Sequence, residues 1–149
     1  SIVGITHLHA KDGSSHRTVD QEAARVAARS QVLGSAGQIA VDFTSVDYRH
    51  LAAEFKATAA LATAKFAQQY LKTVKAFEPL YVKGKVVLAT SVESAGIQSL
   101  TRTSAVVLVA VKGLSTNSES QAGSEQLFRM QVDLSEVNGR WLASNVQPI

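Results

Sequence analysis

Acid-base chemistry in this chain would centre on Asp42 and Asp47, with Tyr48 and His50 beside them. A carboxylate base facing a phenol donor across an apolar pocket can move a proton next to a carbonyl, the equipment of a ketosteroid isomerase in a cone-shaped α+β fold. Such a base must project into that pocket. Asp42 instead follows Val41 at the end of a helical pattern. Asp47 stands where a second helix should begin, and aspartate at such places ordinarily caps or turns the chain. For metal chemistry the one histidine pair is His7 and His9, with His16 nearby. No carboxylate is placed to complete a compact site with them, so a solvated segment is the expectation. The absence of cysteine removes disulfides, thiolate metal sites and cysteine nucleophiles. There is no P-loop, dinucleotide-binding glycine pattern, zinc-protease helix or nucleophile elbow. We expect no catalytic set, no metal and no cofactor.

An apolar ligand site is the other option. Phe66, Tyr70, Phe77 and Tyr81 recur at helical intervals, and Phe55 and Trp141 can join them from neighbouring elements. These six residues define a candidate cleft if the fold stays open. In a closed core each ring would bury on the order of 150–250 Å² and fasten its helix to a sheet. The closed core is the simpler expectation.

The elements that must position these side chains follow from the hydrophobic periods. Residues 1–17 read as a flexible polar tail, and residues 18–149 as a single domain. Thr18-Val19-Asp20-Gln21 has the form of a capping box that opens a helix to about Phe43. Its inward face would be Val19, Ala23, Val26, Ala27, Ser30, Leu33, Gly37 and Val41, with Gly34 and Gly37 as interruptions. Thr44-Ser45-Val46-Asp47 looks like a second cap, introducing a short helix with Tyr48, Leu51, Ala52 and Phe55 on one side. A third helix should run from about Thr63 to Phe77 and stop at Pro79. From Val82 the period becomes two. Val82, Gly84, Val86, Leu88, Thr90 and Val92 would face one way, with a bulge at Ala95-Gly96. The run Ala105 to Val111 is apolar throughout and reads as a central strand covered on both faces. After a polar loop over 115–124, Phe128, Met130, Val132 and Leu134 alternate with polar residues. Asn138-Gly139 is a two-residue hairpin turn into a last strand, Arg140 to Val146. The expected fold is α+β: three N-terminal helices packed on a curved antiparallel sheet of about four strands.

The bulk composition excludes several classes. Hydrophobic residues make up 46% of the 149 and charged residues 18%, an ordinary globular balance. The 15 basic and 12 acidic residues are interleaved, with no basic stripe of the kind a nucleic-acid partner would need. No apolar stretch reaches the roughly 20 residues that cross a bilayer.

Several ordered segments resemble the soluble domain of Mce-associated membrane proteins, a family linked to the mammalian-cell-entry lipid importers of the cell envelope. They are Ala40 to Tyr48 (AVDFTSVDY), Ala62 to Phe66 (ATAKF) and Val92 to Gly96 (VESAG). The apolar strand Ala105 to Val111 follows, then Phe128-Arg129-Met130, Asn138 to Leu142 (NGRWL) and Ser144-Asn145-Val146. The resemblance spans nearly everything from Thr18 onward. It implies a nuclear-transport-factor-2-like (cystatin-like) roll, tethered on the extracytoplasmic side of the cytoplasmic membrane by a transmembrane helix upstream of Ser1. It also implies a non-catalytic accessory role, stabilising or scaffolding the importer, with the proteins of that lipid-transport assembly, and lipid itself, as partners. The alternative is a small apolar-ligand-binding or isomerase-like domain of the same fold.

Overall fold

The computed structural model describes the backbone from Ile2 to Ile149 and the side chains from Thr18 onward. It divides into two compact units, residues 1–31 and residues 32–149. Helix α1 is Ile2–Thr44, so the helical backbone begins well before the capping box expected at Thr18, within the segment read as a tail. In the first unit the expected inward residues Val19, Ala23, Val26, Ala27 and Ser30 are all exposed, Val19 and Val26 at 65%. A period of three and four marks the side of a helix that could be buried. It does not supply a surface to bury it.

The second unit is an α+β fold. After α1 come β1 (Val46–Asp47), α2 (Leu51–Ala59), α3 (Ala64–Gly84), β2 (Val87–Leu100), β3 (Ser104–Thr116), β4 (Ser124–Val137) and β5 (Arg140–Pro148). The strands form one antiparallel sheet in the order β1-β2-β3-β4-β5. The sheet therefore has five strands where about four were expected, the extra one being the two-residue β1. The core lies between the inner face of the sheet and the last turns of α1. Val32, Ala36, Ile39 and Ala40 pack there against Val107, Val109, Val111, Met130, Val132 and Leu134. All ten are at most 4% exposed. Full burial of each larger aliphatic side chain contributes on the order of 1.5–3 kcal/mol. The buried stripe of α1 is thus shifted from the expected one, of which Gly37 is buried while Leu33 and Val41 are half-buried. Alanines on several sides of the helix left its phase undetermined. The helix continues unbroken through Gly34 and Gly37.

The end of α1 is sewn to β2 by hydroxyls. Thr44 Oγ1 lies 2.7 Å from Thr90 Oγ1, and Ser45 Oγ lies 2.9 Å from the same atom. Thr90 Oγ1 also donates to the Val41 carbonyl at 3.3 Å. The expected cap at Thr44-Ser45 is therefore a helix-to-sheet clasp. Helix α2 starts later, at Leu51, with His50 as an N-cap that makes no side-chain capping bond. Tyr48 and Ala52 leave the expected inward set: Tyr48 lies in the turn before α2, and Ala52 is exposed.

Helix α3 starts where expected, and its N-cap is Thr63, whose Oγ1 accepts from the Phe66 N–H at 3.4 Å. The Thr63 N–H donates to the Ala143 carbonyl, and the Ala143 N–H to the Leu61 carbonyl, each at 2.8 Å. This fixes the start of α3 to β5. Pro79 does not stop the helix, which runs to Gly84. Proline removes one donor and crowds the carbonyl four residues back. That residue, Lys75, is exposed, as is Pro79 itself. The helix ends at Lys85, whose φ of 49° and ψ of 49° are left-handed, with its N–H bonded to the Val82 carbonyl at 3.2 Å. Val82 and Gly84 are thus helical, and the strand period begins at Val87.

In the sheet, β3 is central, yet the run Ala105 to Val111 is buried only at alternate residues. Leu108 is 38% exposed, because no element covers the outer face of the described sheet at that position. The expected bulge is replaced by two register shifts that flank Ala95-Gly96, between Val92 and Ser94 and between Ile97 and Ser99. The alternation of β4 holds, with Met130, Val132 and Leu134 inward. Asn138 (φ 52°) and Gly139 (φ 81°) form the tight turn that needs two positive φ angles.

Candidate functional site

The carboxylates singled out from sequence are held in structural bonds. Asp42 Oδ1 accepts from Gln38 Nε2 at 2.7 Å, one turn back on α1. Asp47 receives the Arg49 guanidinium in a fork, Nε to Oδ1 at 2.8 Å and Nη2 to Oδ2 at 2.7 Å, together with the Arg49 backbone N–H at 3.0 Å. Arg49 also lies over the Tyr48 ring, 5.9 Å from its centroid. Hydrogen bonds to the ionised form favour it, and the Arg49 side chain holds the Asp47 carboxyl at about 2. A general base at neutral pH needs the opposite shift. Glu54 Oε2 accepts the Asp47 N–H at 3.0 Å, closing β1 onto α2, while burial pushes its carboxyl above the usual range.

These two carboxylates give opposite pH slopes. Asp47, with its folded value lowered from 3.8 to about 2, contributes stability that is complete above about pH 4 and is lost as pH falls through 2. Glu54, raised in the fold, contributes most below its unfolded value of 4.5 and loses that contribution as pH rises through its folded value. In urea titrations across acid pH, Asp47→Asn should flatten the acid limb and Glu54→Gln the higher one. The Asp47→Asn change should stay within about 1 kcal/mol, because the Arg49 side chain that pairs with it is 59% exposed. A limb unchanged by its variant would contradict the assignment.

The six aromatic candidates separate into three places. Phe66 stacks on Phe43 with centroids 5.6 Å apart and planes within 7°, and Tyr70 tilts against Phe43 at 4.8 Å. Phe55, 9% exposed, meets Tyr70 edge-on at 6.3 Å. Burial raises the Tyr70 phenol. Thr58 is itself 2% exposed, and its Oγ1 donates to the Asp42 carbonyl at 3.3 Å. Phe77 and Tyr81 pair with each other at 6.4 Å, with Phe77 46% exposed. Trp141 packs against the core from β5. The structure thus joins Phe66 and Tyr70 through Phe43, and Phe55 through Tyr70, and the stripe of α3 is half-buried, with Phe77 exposed, where a closed core was expected. No α3 residue is fully buried. Sequence reasoning missed Phe43; its place three residues after Ala40, inside the Ala40 to Tyr48 segment, was the available signal. His7, His9 and His16 lie outside the described side chains. Among the described residues no three His, Asp or Glu gather around a metal-sized space, and no helix is long and apolar enough to cross a membrane.

The family model described as "Uncharacterized protein Rv1363c/MT1408-like" matches residues 1–149. The chain belongs to this family. A relative, "Uncharacterized protein Rv1363c" of Mycobacterium tuberculosis (strain ATCC 25618 / H37Rv), is 25% identical over 146 residues. That match covers 98% of this chain and 55% of the relative, so the chain spans about half of the relative's length. Among solved structures, a periplasmic fragment of TraM superposes with a TM-score of 0.65 at 10% identity, covering 80% of this chain and 96% of that one. CagV, a VirB8 homolog of the type IV secretion system of Helicobacter pylori strain 26695, gives 0.59 at 9% identity, covering 80% and 96%. An Ntf2-like protein involved in plasmid conjugation gives 0.51 at 11% identity, covering 81% and 48%. This Rv1363c/MT1408-like chain therefore has the α+β fold expected from its hydrophobic periods, of the nuclear-transport-factor-2-like kind that the resemblance implied.

Proposed function

We propose that this chain is a non-catalytic scaffolding domain of a multi-protein assembly in the cell envelope, and specifically of a mammalian-cell-entry lipid importer. It would lie on the extracytoplasmic side of the cytoplasmic membrane, tethered by an upstream helix. The observation that carries the reading is a contrast within the molecule. Asp42 is bonded within α1, and Asp47 and Glu54 are tied up in bonds that hold β1 and the following turn to α2. Large apolar side chains are left exposed in pairs: Phe77 and Leu80, about one turn apart on α3, and Leu114 and Leu127, which line one groove on the sheet. Grouped exposed apolar side chains mark surfaces that meet other molecules. The fold shared with a periplasmic fragment of TraM and with CagV supports an envelope setting. The ordered resemblance to Mce-associated proteins supports the importer as the particular assembly.

The test is affinity capture from membranes with the full-length protein as bait, under conditions that keep an importer assembled. Recovery of importer permease and lipid-binding subunits is expected, as is a fall in their steady-state level when this protein is deleted. An intact importer that neither co-purifies nor changes in abundance would overturn the reading.

A further inference from the structure

A groove of about 580 Å³ opens between α2 and α3. Its apolar wall is Ala52, Phe55 and Ala59 from α2 with Leu71 and Val74 from α3. Phe55, alone of the six aromatic candidates, lines it, and at 9% exposure it forms the base. The polar lining is one-sided in charge: Lys56 from one helix and Lys72 and Lys75 from the other, against a single carboxylate, Glu78. The ion pairs among the described residues are Arg25–Glu22 and Arg49–Asp47, so none of these three lysines has a described carboxylate within 4.0 Å. Three ammonium groups around an apolar trough, unpaired among the described residues, attract an anion joined to a hydrocarbon. Lysine stems cover apolar surface while their charged ends reach for a head group.

We infer that the groove between α2 and α3 binds a single-chain anionic amphiphile, a free long-chain carboxylate, with its chain against Phe55, Leu71 and Val74 and its carboxylate among Lys56, Lys72 and Lys75. The volume falls in the range of roughly 300–1,000 Å³ typical of small-molecule sites that are mostly apolar with a few placed polar groups. A partner protein fits less well. Helix α2 has 9 residues, about 13 Å at a rise of 1.5 Å per residue, and the apolar wall is five side chains. A stable protein interface engages roughly 20–30 residues a side. A bilayer surface fits less well too, because the most buried apolar side chain sits at the base of a concavity and not on a projecting ridge. The inference does not depend on any importer partner, so its failure would leave the scaffolding reading standing, and the reverse holds.

The test is a titration of the isotope-labelled chain with dodecanoate, followed by amide and lysine Nζ resonances. Dodecanol and dodecyltrimethylammonium serve as probes with the same chain and no anion. Dodecanoate should shift α2 and α3 resonances saturably, and the two controls should bind about tenfold more weakly or worse, since hydrogen bonds to a charged partner are lost. The exposed triple substitution K56Q/K72Q/K75Q, with an unchanged melting temperature, should weaken dodecanoate by a similar factor. Leu71→Asp should weaken the binding of all chain-bearing probes. Equal binding of the three probes, saturable shifts elsewhere on the molecule, or binding undiminished in the lysine variant would overturn the inference. So would binding seen only with phosphatidylglycerol vesicles, or with an acidic amphipathic peptide and not with dodecanoate.

Discussion

Ile39→Ala is expected to lower the unfolding free energy by about 2–5 kcal/mol, the cost of a large-to-small change in a core that cannot collapse around the space left. Ile39 is 1% exposed and belongs to the cluster in which the end of α1 meets Val107, Val109, Val132 and Leu134. It is among the largest fully buried side chains of the molecule. It comes from a helix, while most of its neighbours come from strands with regular ladders. Truncation therefore loosens the layer contact without a local repair. Urea denaturation followed by circular dichroism should show a lower midpoint with an unchanged slope. A loss below about 1 kcal/mol would mean that α1 does not hold the sheet as described.

Gly113→Ala should be as damaging, by about 3 kcal/mol or more, at the upper end of overpacking costs. A Cβ at Gly113 runs into the Ala89 carbonyl oxygen and crowds the Ala89 carbonyl carbon and Thr90 Cγ2 at 3.0 Å each. Gly113 is the cross-strand partner of Thr90 in the β2–β3 ladder, and Thr90 carries the clasp to Thr44 and Ser45. The obstacle is backbone, so a rotamer change cannot relieve it, and the strands must part where α1 is anchored. Gly34→Ala makes a sharp control. A Cβ at Gly34 meets nothing within 4 Å, and replacing an exposed helical glycine should raise stability by about 0.5–1 kcal/mol. Opposite signs for two glycine-to-alanine changes, read as denaturation midpoints, would confirm the close approach. A neutral Gly113→Ala would refute it.

Both expectations concern the frame that places the α2 to α3 groove and the Asp47 corner. Asp47, Arg49 and Glu54 join β1 to α2, while Thr58 ties α2 to the end of α1. Helix α2 is thus held at both ends by polar bonds, and one of its faces is left to form the groove. Ligand or partner binding there would act on an element already fixed.

Much of this was legible in residue order, because some signals are local. The alternation of Phe128 to Leu134, the Asn138-Gly139 turn and the start of α3 near Thr63 each depend on backbone geometry within a few residues, and each stands as read. The α+β class follows from the change of hydrophobic period between Tyr81 and Val87. Other features depended on groups distant in sequence. Thr44 and Ser45 resemble a helix cap until Thr90 arrives across 45 or more residues to take their hydroxyls. Pro79 resembles a helix stop, but the lost bond falls on an exposed side of α3 and the helix carries on. The run Ala105 to Val111 resembles a strand buried on both faces, but hydropathy cannot reveal that only one face meets a helix layer. The aromatic stripe of α3 showed its period, and Phe43 decided which rings would meet. What the order of residues determined by itself was the three helices and the four long strands in their order, the class of fold and the lack of any catalytic motif, since periodicity and turn chemistry act over one or two turns of chain. What only tertiary structure decided was the phase of α1 on the sheet, the structural use of Asp47 and Glu54, and the gathering of three lysines around an apolar groove, since each depends on which distant surfaces come into contact.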